Sequence, residues 1–156
     1  MDQVKTTGTD AEVEALSKKL AEIEAEVRNE PQSDRAPIKF LDEAGTFYFQ
    51  HSNGSSIPGA NLPISVINNN EDMFVIEVYR DDDARNVMLC YGFGWKGTYA
   101  AGKYFHSIIH PNIASYNVGW VIVKWQDTNG DSYVNIPGDG DTYTLIEVLG
   151  SSRARV

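Results

Sequence analysis

From residue 38 to residue 149 the chain runs in short stretches where apolar and polar residues alternate, and no useful helical period appears. Successive side chains of a strand point to opposite faces, so this period-two pattern predicts half-buried strands. They fall at 38–41, 46–51, 62–67, 73–80, 86–93, 103–109, 118–126 and 141–149. Turn chemistry separates them at Ser52-Asn53-Gly54, Asn68-Asn69-Asn70, Asp81-Asp82-Asp83 and Asn129-Gly130. About eight short strands joined by turns predict an all-β antiparallel sandwich, immunoglobulin-like or jelly-roll-like. The run 118–126 is apolar on both faces, with Trp120 and Ile122 on one and Val121, Val123 and Trp125 on the other. Such a strand is either central and covered on both sides, or it meets a second subunit.

The first 30 residues obey another period. Val13, Leu16, Leu20, Ile23 and Val27 step by three and four and form a narrow apolar seam along a predicted helix at 9–29. Thr9 with Glu12 makes a capping box, Glu14 to Lys18 a favourable pair one turn apart, and Pro31 stops the helix. Two heptads make a short coiled coil at most, and an isolated helix of this length is marginal in water. The seam therefore calls for an apolar partner, either a second copy or the chain's own domain. Residues 31–37 read as a polar linker with two prolines, 38–149 as the β-domain, and 150–156 as a flexible tail without a motif.

Composition narrows the partners. The 156 residues, 42% hydrophobic and 22% charged, suit a folded domain with an appendage. A net charge of −9 and the absence of any basic cluster argue against nucleic acid and against an anionic membrane surface. No apolar run reaches the length of a membrane span, so membrane attachment would need another partner or a missing segment. The start of the chain is polar and unlike a signal peptide. Acidity suits an extracellular or cell-surface protein and leaves the cytoplasm open.

Catalytic patterns are weak. Cys90 is the lone cysteine, which excludes an internal disulfide, and its apolar run reads as an inert core thiol. His106 and His110 stand four apart in a predicted strand and turn, where the helical metal-pair geometry does not apply. Ser55, Ser56 and Ser107 show no base and orienting acid, and the many carboxylates fall in predicted turns. Gly92-Phe-Gly94-Trp-Lys-Gly97 groups three glycines, but no helix is predicted after it. The reading is non-enzymatic.

The stretch from Asp127 to Asp141 carries oxygen-bearing side chains at nearly every second position: Asp127, Asn129, Asp131, Tyr133, Asn135, Asp139 and Asp141. Short oxygen donors at positions 1, 3, 5 and 9, with a carbonyl at position 7, can turn inward onto a hard cation. The run resembles the calcium loops of dockerins and EF-hands. That resemblance implies a structural calcium held by Asp127, Asn129, Asp131, the Tyr133 carbonyl, Asn135 and Asp139. The run departs from the pattern at Ser132, where a glycine belongs, and at Gly138, where a bidentate carboxylate belongs. The competing reading is a plain polar hairpin tip.

Trp95 and Tyr99, with Trp120 elsewhere in the chain, are the aromatics suited to a glycan or to a subunit interface; otherwise they are core residues. The stretch from Phe47 to Leu62, an apolar strand ending in His51 and a small-residue turn, is similar to ectodomains of archaeal type IV pilin-like proteins, and Ala100-Ala101-Gly102-Lys103 resembles a later step in them. The resemblance implies a surface-filament subunit whose β-domain rides on a helix and contacts its neighbours. Those subunits begin with a long apolar helix, whereas this helix is charged. The function expected is therefore a structural or interaction module of an extracellular filament or appendage, self-associating through the helix, with the β-domain as a further candidate contact. A carbohydrate-binding module is the alternative.

Overall fold

The computed structural model describes residues 10–29, 36–67, 69–115 and 119–149, and the side chains of these apart from 20–29 and 149. The chain divides into two compact units, Met1–Asp34 and Arg35–Val156. Among the described residues the first contains one helix, α1 (Asp10–Asn29), with Asp10 and Glu12 in its first turn, where acidic side chains complement the exposed N–H groups. Val13 and Leu16 are exposed. The side chains of Leu20, Ile23 and Val27, the capping residue Thr9, linker residues 31–35, Asn68 of the Asn68–Asn70 turn, Tyr116 and the tail 150–156 lie outside the described residues.

The second unit is mostly antiparallel β-sheet. Strands β1 (Ile38–Glu43), β2 (Thr46–His51) and β3 (Ser56–Pro63) form a three-stranded meander. Strands β4 (Glu71–Arg80), β5 (Asn86–Gly92), β6 (Trp120–Gln126) and β7 (Thr142–Leu149) form a second sheet in the order β5-β4-β6-β7. The two sheets share one core, in which Ile38, Phe49, Ile57 and Leu62 of the first meet Met73, Val75 and Ile122 of the second. Phe49 stacks on Phe93 at 4.5 Å between ring centroids.

The other face of the second sheet is covered by a helix. This corrects the strand predicted at 103–109: α2 (Trp95–Tyr104) continues there through a π-turn at Phe105–Ile109 and a 3-10 stretch at His110–Ser115. Ala100, Ala101 and Ile109 pack there on Phe74, Ile76, Val121, Val123 and Trp125. β6 is thus central and covered on both sides, with Ile122 in the inter-sheet core and its neighbours under the helix. The predicted strand at 62–67 is also displaced. Strand β3 begins earlier, at Ser56, and Ile64–Val66 is a 3-10 turn.

The cap of α2 explains why its start is hard to see in sequence. Gly94, at the N-cap, has no side chain to donate, and the work is done by Asp72 from β4. The fully buried Asp72 carboxylate accepts the N–H groups of Gly97 at 2.8 Å, Gly94 at 3.2 Å and Met73 at 2.7 Å. Burial pushes its carboxyl up and these N–H bonds pull it back. A Cβ on Gly97 would lie 2.5 Å from Asp72 Oδ1, and one on Gly92 would strike the Gly97 backbone, so both positions require glycine.

A second buried acid, Glu77 on β4, accepts the Ile38 N–H at 2.9 Å, and its Oε1 has no hydrogen-bond partner among the described residues. Desolvation lifts its carboxyl from the ordinary 4.5 to about 8. Between these values the folded chain holds a proton that the unfolded chain has lost. The stability that Glu77 contributes is therefore fully present below pH 4.5 and is lost as pH rises toward 8. The expected slope is up to ~1.4 kcal/mol per pH unit from this group. Urea titrations across that range should show the slope in the parent and its loss in Glu77→Gln. Asp72→Ala, which strands two buried N–H groups and the half-buried one of Gly94, is expected to cost about 3 kcal/mol in the same measurement.

Candidate functional site

The β6–β7 connection gathers three carboxylates. One oxygen from each of Asp127, Asp131 and Asp141 lies within 4.8 Å of the other two. The backbone arranges the first two. Asp127 accepts the N–H groups of Gly130 at 2.8 Å and Ser132 at 2.9 Å, which winds the chain around its carboxylate. Ser132 takes the left-handed φ of +67°. The sharp turn that a calcium loop normally draws from glycine is thus made by serine, at a cost of about 1 kcal/mol. Asp131 accepts the Tyr133 N–H at 2.8 Å, which, with the amides of Asn129 and Asn135, holds its carboxyl below the usual range.

The third carboxylate is the one that the sequence reading misplaces. Asp139 is exposed, on a turn closed by its N–H to the Ile136 carbonyl, and it stands outside the cluster. Asp141, two residues later at the threshold of β7, is buried. Its Oδ2 accepts Trp125 Nε1 at 2.8 Å and the Asn135 N–H at 2.7 Å, while Oδ1 has no hydrogen-bond partner among the described residues. The signal was present, because Asp141 ends the alternating run of oxygen donors. The missing information was which of two aspartates the sheet holds fixed.

Asn129 and Asn135 complete the ring through their amides, which reach Asp131 Oδ2 at 3.1 and 3.3 Å. The other arm of the Asn135 amide lies 3.3 and 3.2 Å from the Asp131 oxygens and 3.1 Å from the Tyr133 carbonyl. As an NH2 group it donates to all three. As an oxygen it joins a set of acceptors that only a cation would hold together. The Tyr133 ring itself is exposed.

The aromatics separate into two places. Trp95 and Tyr99 lie one turn apart on α2 and are exposed, whereas Trp120 is half-buried on β6, away from them. Trp120 Nε1 donates to Glu147 Oε2 at 2.7 Å, and the same oxygen meets His51 Nε2 at 2.9 Å. On its other side His51 Nδ1 is 2.9 Å from Ser55 Oγ. This corrects the expectation that Ser55 lacks a base and an orienting acid. The N–H groups of His51, Ser52 and Gly54 are bound to the carbonyls of Ser55, Pro37 and His51, and that of Ser55 to Asn53. Ser55 Oγ also has Asn53 Oδ1 as an acceptor at 2.7 Å. The network joins β2 of one sheet to β7 of the other and acts as a clasp.

Two further expectations change. Gly92-x-Gly94-x-x-Gly97 does lead from a strand into a helix, but the anion position at the helix start is filled by Asp72. His106 and His110 lie in helical backbone, yet no metal-type cluster of three His, Cys, Asp or Glu residues includes them among the described residues. Cys90 is half-buried, and burial pushes its thiol up.

The sequence matches no protein-family model, and no curated protein or solved structure is significantly similar to it. No helix among the described residues is long and apolar enough to cross a membrane.

Glu147→Ala removes the acceptor shared by His51 and Trp120. It is expected to lower the unfolding free energy by about 1–2 kcal/mol, read by urea denaturation. A double-mutant cycle with His51→Ala should give a coupling of about 1 kcal/mol.

Proposed function

We propose that the chain is a non-enzymatic structural or interaction module in which a calcium ion, bound by the Asp127–Asp141 loop, stiffens the β6–β7 connection. The observation that carries this reading is that buried Asp141, whose Oδ1 has no hydrogen-bond partner among the described residues, brings a carboxylate oxygen within 4.8 Å of one from each of Asp127 and Asp131. Three acids at that separation repel one another, and a hard divalent cation with oxygen ligands relieves the repulsion. Asp127, Asp131 and Asp141 supply the charge. Asn129, Asn135 and the Tyr133 carbonyl supply neutral oxygens, while Asp139 stands aside.

Assembly is assigned to α1. Val13 and Leu16 expose the seam, and a second copy of the helix would cover it in a short coiled coil. The order of helix then β-domain, with the resemblance of 47–62 to pilin-like ectodomains, supports placing the protein in an extracellular filament or surface appendage. On the type of sandwich, the sheet orders favour two sequential sheets, since β1 to β3 all stay in one sheet. Immunoglobulin and jelly-roll arrangements interleave strands between sheets.

Bound only to the folded loop, calcium at a hundredfold excess over its Kd adds about 2.7 kcal/mol. Chelation should therefore lower the melting temperature and added calcium should restore it, while Asp131→Ala and Asp141→Asn should each abolish the response. A melt indifferent to both chelator and calcium removes the metal assignment. For the helix, light scattering of the full chain should give an oligomer that Leu16→Glu reduces to monomer. An unchanged mass sinks the assembly role.

A further inference from the structure

The outward stripe of α2 is unusual for a surface helix. Its inward residues, Lys96, Gly97, Ala100 and Ala101, are buried against the sheet. The outward positions that follow one another by whole turns are Trp95, Tyr99, Lys103 and His106. Trp95 is 63% exposed and Tyr99 55%, where a solvated helix face normally carries small or charged residues. These side chains form one wall of an open groove of about 730 Å³, and Ile136, itself exposed, stands on the other side. The groove's place in the fold is fixed. Val134, two residues before Ile136, is buried in the same core as Ala100 and Ala101, and the start of the helix is held by Asp72.

Its charge runs against that of the protein. The chain carries −9, yet no acidic residue lines the groove, and its ionisable side chains are Lys103 and His106. Lys103 Nζ sits 5.2 Å from the Tyr99 ring centroid, a cation–π contact that keeps an ammonium beside the aromatic surface.

We propose that this groove binds a glycan chain carrying uronic acids, whose sugar rings lie on Trp95 and Tyr99 and whose carboxylates meet Lys103 and His106. The flat face of a pyranose presents polarised C–H groups that suit the negative face of an aromatic ring. Four residues of helix place the two rings about 6 Å apart along its axis, near the length of one sugar in a chain. Neither a neutral sugar nor a purely apolar segment accounts for the basic end of the stripe. A dense polyanion such as nucleic acid is disfavoured by the net charge of the whole chain. One carboxylate per repeat is the density that a single lysine and a histidine can serve.

The test uses the full chain with two hexasaccharides, hyaluronan as the uronate probe and cellohexaose as the neutral one, followed by calorimetry and tryptophan emission. The uronate probe should bind, shift the emission, and weaken as salt rises. Trp95→Ala and Lys103→Ala should each lower its affinity about tenfold or more. Trp95→Phe, which keeps a ring in place, should lose less and guards against a folding defect, with melting temperatures compared for all variants. The proposal is overturned if the uronate probe does not bind, if cellohexaose binds as tightly, or if the Ala variants leave binding unchanged. It is equally overturned if Trp95→Ala lowers the mass of an oligomer while sugar binding persists, because the stripe is then a contact between copies.

Discussion

The Asp72 carboxylate is the point on which the second layer of the β-domain turns. Burying an ionised carboxylate costs several kcal/mol unless hydrogen bonds replace its water. Here the replacement is the start of a helix, whose free N–H groups and positive end suit an anion. Each half settles the other's difficulty. The strand obtains partners for a charge that it buries, and a helix with a glycine at its N-cap obtains a cap from 22 residues away. The closeness of this fit excludes a Cβ at Gly92 and Gly97. Without the cap, α2 would have little to hold its first turn against β4, and the face of Phe74, Ile76, Val121 and Val123 would lose its cover. The glycine pattern that elsewhere admits a phosphate is here closed by the protein's own carboxylate.

The two sheets are joined differently. Their shared core is apolar, but polar links stand at its margins: Glu77 takes the first N–H of β1, and Glu147 joins His51 of β2 to Trp120 of β6. Apolar packing is tolerant of small sliding, whereas such hydrogen bonds are directional and fix where one sheet lies on the other. The resemblance of Ser55–His51–Glu147 to a hydrolytic relay follows from the same economy of polar groups. A part-buried histidine at the end of β2 must satisfy both ring nitrogens, and a nearby hydroxyl and carboxylate do so. At this turn the backbone N–H groups of His51, Ser52, Gly54 and Ser55 are bound to the carbonyls of Ser55, Pro37 and His51 and to Asn53.

Alternation read the strands well where one face is buried and the other is not. It placed β2 at its observed bounds, and β4 to β7 within one or two residues of theirs. It failed at α2 for a physical reason. A helix between a sheet and solvent normally carries apolar residues on one side only, but here small residues face inward and large aromatics outward. Three glycines and a cap supplied by another strand remove the remaining local cues. The sequence from Lys103 to Ile109 then mimics strand alternation. β3 was misplaced because its buried positions, Ile57, Ala60 and Leu62, are not spaced by two throughout, and the register between β2 and β3 shifts between Tyr48 and Gln50. The loop beyond β6 was legible in its ligand types, while Asp139 and Asp141 could not be told apart without knowing where β7 begins.

That last distinction shapes how the loop would hold a cation. Asp127 and Asp131 belong to a segment whose own N–H groups wrap their carboxylates. Asp141 is held from outside that segment. Trp125, from the neighbouring strand, and the Asn135 N–H fix one of its oxygens, and the sheet fixes its backbone. A buried acid held by the sheet, beside one half-buried and one exposed acid of the loop, would give the proposed site one ligand fixed by the fold. The Trp125–Asp141 bond joins the loop to an indole buried beneath α2. Ion binding, as proposed, would thereby be linked to packing in the second core through a single carboxylate.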